Sequence, residues 1–168
     1  MKFFLKAKAW QLFLPFMGTM FLQPLFIGMF PNPMIGFALS MAIFMLLLIG
    51  WLWSIGITAN NRLPPHLKRS TNTYSIGLLF AWLYSCAFGF VVSTSTVLPT
   101  FIIPLHLASM FFMFYALWFT AKQFTTFQRQ EAVTFFEFSG PFFMLWFFPI
   151  GVWFMQPKVN KLLGEEDA

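Results

Sequence analysis

Charge is what this sequence has least of. Only 9% of its 168 residues are Asp, Glu, Lys or Arg, and 59% are hydrophobic; a water-soluble domain carries about 25% charged residues. Too little polar surface remains to cover a soluble globule. Acids are the scarcest: five in all, with no aspartate before Asp167. An intramembrane aspartyl protease is therefore excluded. Histidine is nearly absent too. His66 and His106 stand far apart, with no H-x-x-H, H-x-x-x-H or H-E-x-x-H spacing, so no metal set is legible and no cofactor is expected. The single cysteine, Cys86, lies inside an apolar run and forms no intrachain disulfide. Neither a G-x-S-x-G nucleophile motif nor a phosphate-cradling glycine loop occurs.

What the chain does have is long apolar runs, and a helix needs about 20 residues to cross a bilayer. They predict an all-α polytopic membrane protein, one domain over 1–168, with four transmembrane helices near 10–30, 35–57, 74–96 and 100–121. An apolar aromatic segment follows at 138–157. The N-terminus, MKFFLKAKAWQLFLPF, imitates a signal peptide, but Thr19–Gly28 offers no A-x-A-like cleavage site. It reads as an uncleaved first span.

The net charge is +5. Its cations flank apolar runs rather than forming a patch with exposed aromatics, so anionic headgroups are the expected partner and nucleic acid is not. Four spans with both ends inside put Lys2, Lys6, Lys8, Arg62, Lys68, Arg69, Lys122, Arg129, Lys158 and Lys161 on the cytoplasmic side. The outer turns, Pro31–Met34 and Val97–Pro99, carry no charge. Trp10, Trp51, Trp53, Tyr74 and Trp118 fall towards the cytoplasmic side, as headgroup-level anchors do.

Individual spans carry further signals. Span one holds Pro15 and Pro24, each lacking a backbone donor, and the polar Gln11, Thr19 and Gln23. A broken span with an amide at depth is one signature of a binding site, though neighbouring helices more often satisfy the freed carbonyls. In span three Gly77, Ala81, Ser85, Gly89 and Ser93 recur every four residues, a stripe that lets another helix approach closely. Internal packing is the favoured use, a second protomer the other. His106 is the one imidazole in a span; it either marks a polar path or sits at the outer interface. Glu131 and Glu137 flank the C-terminal segment, either as a surface carboxylate site or as a solvated face paired with Arg129, Lys122 or the tail lysines.

Phe138–Leu163 is the run that disturbs this plan. A full fifth span would export Lys158 and Lys161. Pro149 and Gly151 break the run, and the charge count favours a segment that dips into or lies at the cytoplasmic interface.

KAKAWQLFLPF, NRLPPHLKR, PLHLASMFFMFYALWFTAK and above all WFFPIGVWFMQPKVNKL together resemble a group of small, multi-span, uncharacterised bacterial membrane proteins. The resemblance covers most of the chain. It implies a bacterial cytoplasmic membrane and carries no activity. Relatives with an acid just after the glycine differ from this chain, which has Pro141. The expected function is a non-enzymatic accessory or interaction subunit, with a membrane-protein partner or a second copy. The alternative is a small transporter or channel using the broken first span and His106. A lipid-metabolising enzyme built on Glu131, Glu137 or His106 is the weakest reading.

Overall fold

The computed structural model describes residues 2–94 and 100–164, the side chain of Ser93 excepted. Among them every regular element is helical: α1 (Lys2–Lys6), α2 (Ala9–Phe21), α3 (Gln23–Gly28), α4 (Pro33–Arg62), α5 (Asn72–Thr94), α6 (Ile102–Arg129), α7 (Phe135–Trp146), α8 (Phe148–Val159) and a π-helical turn, Asn160–Gly164. Three of these, α4, α5 and α6, are long and apolar enough to cross a membrane. Pro64 and Pro65 follow the end of α4, which runs past the expected Ile57 to Arg62. Helix α6 continues to Arg129 and takes in most of the mixed segment after Lys122.

The first expected span is two helices. At Leu22 the amide still bonds the Gly18 carbonyl at 2.8 Å, but Pro24 has no N–H to continue the ladder. Pro15 lies inside α2 without ending it. Helix α3 then folds back against α4, so close that a Cβ on Gly36 would overlap the Phe26 carbonyl. Asn32 opens α4 by accepting from the Met34 amide at 3.0 Å, with Pro33 in the first turn.

The C-terminal segment is also two helices, and they form a hairpin. Phe147, at φ −86° and ψ 54°, separates α7 from α8. Past it, Gly151 packs so tightly on the Met144 carbonyl that a Cβ would overlap the oxygen. Along one straight helix those residues would stand about 10 Å apart, so the chain has reversed. Helix α7 runs back along α6, with Phe138 on Trp118 (6.1 Å between ring centroids) and Trp146 on Phe114 (4.8 Å). Helix α8 returns with Phe148 against Phe16 (5.1 Å) and Phe44 (5.2 Å). Pro141, inside α7, does not break it.

Polar contacts draw the basic segments to one end of the bundle, called the basic end below. Asn160 donates to the Lys6 carbonyl at 3.2 Å, and Arg62 donates to the Leu162 carbonyl at 3.3 Å. His66, Lys68, Arg69 and Lys122 line a single pocket.

Two of the expected headgroup anchors are core residues instead. Trp51 and Tyr74 are both fully buried, because each has a hydrogen-bond partner inside. The Tyr74 hydroxyl donates to the Leu52 carbonyl at 2.6 Å and lies 2.9 Å from Thr120 Oγ1, tying α4, α5 and α6 together. Gly56 makes room: a Cβ there would stand 2.6 Å from the Tyr74 oxygen. The stripe on α5 meets internal neighbours. Gly77 lies against the Phe112 ring of α6 and Gly89 against Ala38 of α4, and Ala81 and Ser85 are buried. The Ser93 side chain lies outside the described residues.

The hairpin is held by one amide. Gln156, wholly buried, accepts from the Trp51 indole N–H at 2.8 Å and donates to the Phe4 and Ala7 carbonyls at 2.7 and 2.9 Å. The last two are the carbonyls that the short α1 leaves unmatched at its C-terminal end. Gln156→Leu strands the buried Trp51 donor and the Phe4 carbonyl, while Asn160 still meets that of Ala7, and is expected to cost about 3 kcal/mol. Trp51→Phe in the same background adds less than it does alone. Denaturant titration of the detergent-solubilised protein measures both; additive losses would show that the two side chains act separately.

Candidate functional site

Above the hairpin tip the bundle is not filled. Met41, Met45 and Leu48 of α4, Tyr84, Ser85 and Phe88 of α5, and His106, Ser109, Met110 and Met113 of α6 enclose a cavity of about 340 Å³. Leu145, Trp146 and Phe148, at the turn of the hairpin, close one side. The methionines follow from helical spacing: Met41 and Met45 are four apart, Met110 and Met113 three, so each pair shares a face. Their flexible thioethers line a space whose shape can adjust.

One polar pair marks the cavity. His106 Nδ1 lies 3.0 Å from the Tyr84 hydroxyl. When Tyr84 donates, the imidazole proton sits on Nε2, which then has a donor to offer. Phe80, Tyr84 and Phe88 stand four apart on α5, and both Tyr84 and Phe88 pack on the imidazole, at 5.7 and 5.9 Å between centroids. His106 itself is exposed, so it can meet a ligand at the rim.

Among the described residues no carboxylate lines the cavity, and the Tyr84 hydroxyl is the group that meets His106 Nδ1. The Ser85 hydroxyl is engaged with the Ala81 carbonyl at 2.8 Å. Among the described residues, no group of three His, Cys, Asp or Glu side chains could hold a metal ion.

Gln23 belongs to a neighbouring cleft of about 310 Å³, lined also by Thr19, Met20, Phe37 and Ser40. The two spaces share Met41, Phe44 and Phe148 as a wall, so Gln23 and His106 are neighbours but not partners. Gln11 is not at depth. It accepts from the Lys8 amide at 2.7 Å, in the first turn of α2.

Glu131 and Glu137 lie far from this cavity, at the basic end. Arg129 meets both: it pairs with Glu137 and stands 3.7 Å from Glu131. Glu137 also reaches back to open α7, accepting from the Thr134 amide at 2.7 Å and its hydroxyl at 2.8 Å. These bonds, the backbone amide first, and more weakly the Arg129 charge, hold the Glu137 carboxyl below the usual range against a small opposing effect of burial. In this arrangement Glu137 opens a helix and both carboxylates stand beside Arg129.

Sequence reasoning alone missed Tyr84, which sits one stripe away from the small residues that drew attention on α5. The signal for it was helical: a phenol flanked four residues each way by Phe80 and Phe88. No protein-family model matches this chain, and neither a curated protein nor a solved structure matches it.

The Glu137 contacts carry a pH dependence. Its folded-state carboxyl is depressed, so its contribution is present above the ordinary glutamate pKa and is lost as pH falls through the depressed value. Acidification should loosen the start of α7 in the wild type. Glu137→Gln should remove that acid sensitivity while weakening the start at neutral pH. A spin label at Phe136 would report both; equal acid responses in the two proteins would refute the assignment.

Proposed function

We propose that the chain is a non-enzymatic integral membrane protein that holds an apolar or amphiphilic membrane molecule in the cavity beside His106, as a binding or accessory subunit. The observation that carries this reading is the cavity itself: a methionine- and phenylalanine-walled space with one hydroxyl–imidazole pair. Ligand pockets are mostly apolar with a few placed polar groups.

The membrane arrangement that supports it has four crossings. Helices α2 and α3 together run from Ala9 to Gly28, about 30 Å at 1.5 Å per residue, and make a broken first crossing. Helices α4, α5 and α6 make the others. The α7–α8 hairpin enters from the basic end and returns to it. Gathering of the basic segments at that end favours a cytoplasmic N-terminus in a bacterial inner membrane, and a reporter fused after Ala168 is expected to read cytoplasmic. A transport role needs a way through, and towards the basic end the bundle is filled by Leu52, Ile55, Tyr74, Leu78 and Phe119, all fully buried. That packing favours holding over conduction.

The test is lipid mass spectrometry of the purified protein. Wild type should carry an enriched amphiphile, and Met113→Trp, which fills the cavity, should lose it. His106→Ala should retain the molecule with about 5-fold weaker affinity, the worth of one hydrogen bond. Recovery of lipids only in their bulk proportions from the wild type would end this reading.

A further inference from the structure

At the basic end a second pocket, of about 220 Å³, has the opposite chemistry. His66, Lys68 and Arg69 of the α4–α5 loop face Lys122, Gln123 and Thr126 of α6 across it, with Ala132 and Val133 on its border. Three formal cations share the walls, and among the described residues no carboxylate lines it. Glu131, next in the chain to Ala132, is paired with Arg129.

The backbone that carries Arg69 and the stem of Lys122 are held before any ligand arrives. The loop is clamped at Arg69 from both sides of its backbone: Asn60 Nδ2 donates to the Arg69 carbonyl at 3.0 Å, and the Arg69 amide donates to Asn60 Oδ1 at 2.9 Å. Asn60 is buried in α4, so the loop is anchored to a long helix. The Lys122 ammonium sits 5.0 Å from the Trp118 ring centroid, which holds its stem. Gathering Arg69 and Lys122 around one space costs repulsion that nothing in its walls offsets.

The wall supplies neutral polar groups as well. Gln123 is 1% exposed and Thr126 4%. Gln123 Oε1 is buried without a hydrogen-bond partner, although buried acceptors are almost always satisfied. None of the donors in the pocket walls is within hydrogen-bonding reach of it.

We propose that this pocket binds a phosphate ester bearing a neighbouring hydroxyl, the glycerophosphate class. Arg69, Lys68 and Lys122 meet the phosphate oxygens, the Thr126 hydroxyl donates to them, and Gln123 Oε1 accepts from the ester's hydroxyl. The ester belongs either to an anionic lipid headgroup or to a soluble glycerophosphate. A choline headgroup does not fit, because its own cation would face the lysines.

The full chain in neutral detergent tests this by thermal unfolding. Dioleoylphosphatidylglycerol should raise the midpoint and dioleoylphosphatidylcholine should not. Protection by glycerol 3-phosphate to the same extent identifies the soluble ester as the ligand; protection by the lipid alone identifies the headgroup. The Arg69→Gln/Lys122→Gln double variant keeps the Asn60 backbone bonds and should need at least about 10-fold more phosphatidylglycerol for half the effect. Lys158→Gln/Lys161→Gln removes the same charge from exposed tail positions and should leave the requirement unchanged. Gln123→Leu alters no charge; it should weaken phosphatidylglycerol and spare phosphatidic acid, which lacks the hydroxyl. No protection by either ester, equal losses in the two charge variants, or equal losses of both lipids in Gln123→Leu would overturn the proposal.

Discussion

The structure depends on a single amide in an otherwise apolar helix. In a membrane, contact between apolar surfaces does not drive helices together, because lipid tails are equally apolar. Something else must fix which face of α8 meets its neighbours, and at what height. Gln156 does so by joining α8 to Trp51 of α4 and to the end of α1. Asn160, four residues on and on the same face, repeats the contact on the Lys6 and Ala7 carbonyls at 3.2 and 3.1 Å. These bonds set the height of the hairpin, and the height of the hairpin sets where the cavity wall stands.

Close approach is the second requirement, and it falls on a few glycines. Gly151 admits the Met144 carbonyl, Gly36 admits that of Phe26, and Gly56 admits the Tyr74 hydroxyl. At each position the neighbour is a polar oxygen that a Cβ would displace. The small residues therefore serve hydrogen bonding and reversal of the chain as much as van der Waals contact. They place tight packing towards the basic end, at the hairpin turn and at the start of α4. Beyond that turn, methionine and phenylalanine take over and the packing opens.

Helix class and punctuation were legible in the sequence. The apolar runs declared α4, α5 and α6, Pro31–Met34 marked a turn and Pro64-Pro65 a helix stop. Pro149 and Gly151 declared a break near Phe147 but not its direction, since the reversal is fixed by contact with Met144, a backbone atom with no signature of its own. Trp51 and Tyr74 misled because an aromatic near a span's end reads the same whether it anchors at headgroups or fills a core. What separates the two cases is a distant polar partner: Gln156 for one, the Leu52 carbonyl and Thr120 for the other. Gln156 itself was visible as the one amide side chain between Phe138 and Val159, yet its neighbours Pro157 and Lys158 made it read as tail. The His106 cavity was invisible because its walls come from five helices, and only Ser85 and His106 drew attention singly.

On the readings proposed above, the two ends of the molecule face different recognition problems. At the basic end the groups are charged and the loop backbone is clamped by Asn60; such a site would select by charge and hydrogen-bond direction. At the other end His106 and Tyr84 offer one polar contact to a space lined by flexible thioethers, which select loosely by volume. Between them lies a packed core in which Ser54 is engaged with the Gly50 carbonyl at 2.7 Å and Thr125 with that of Ala121 at 2.9 Å. Hydroxyls turned back on their own helices offer no chain of donors and acceptors along the bundle axis. On the function proposed above, a molecule held beside His106 would meet a floor of buried side chains rather than a path.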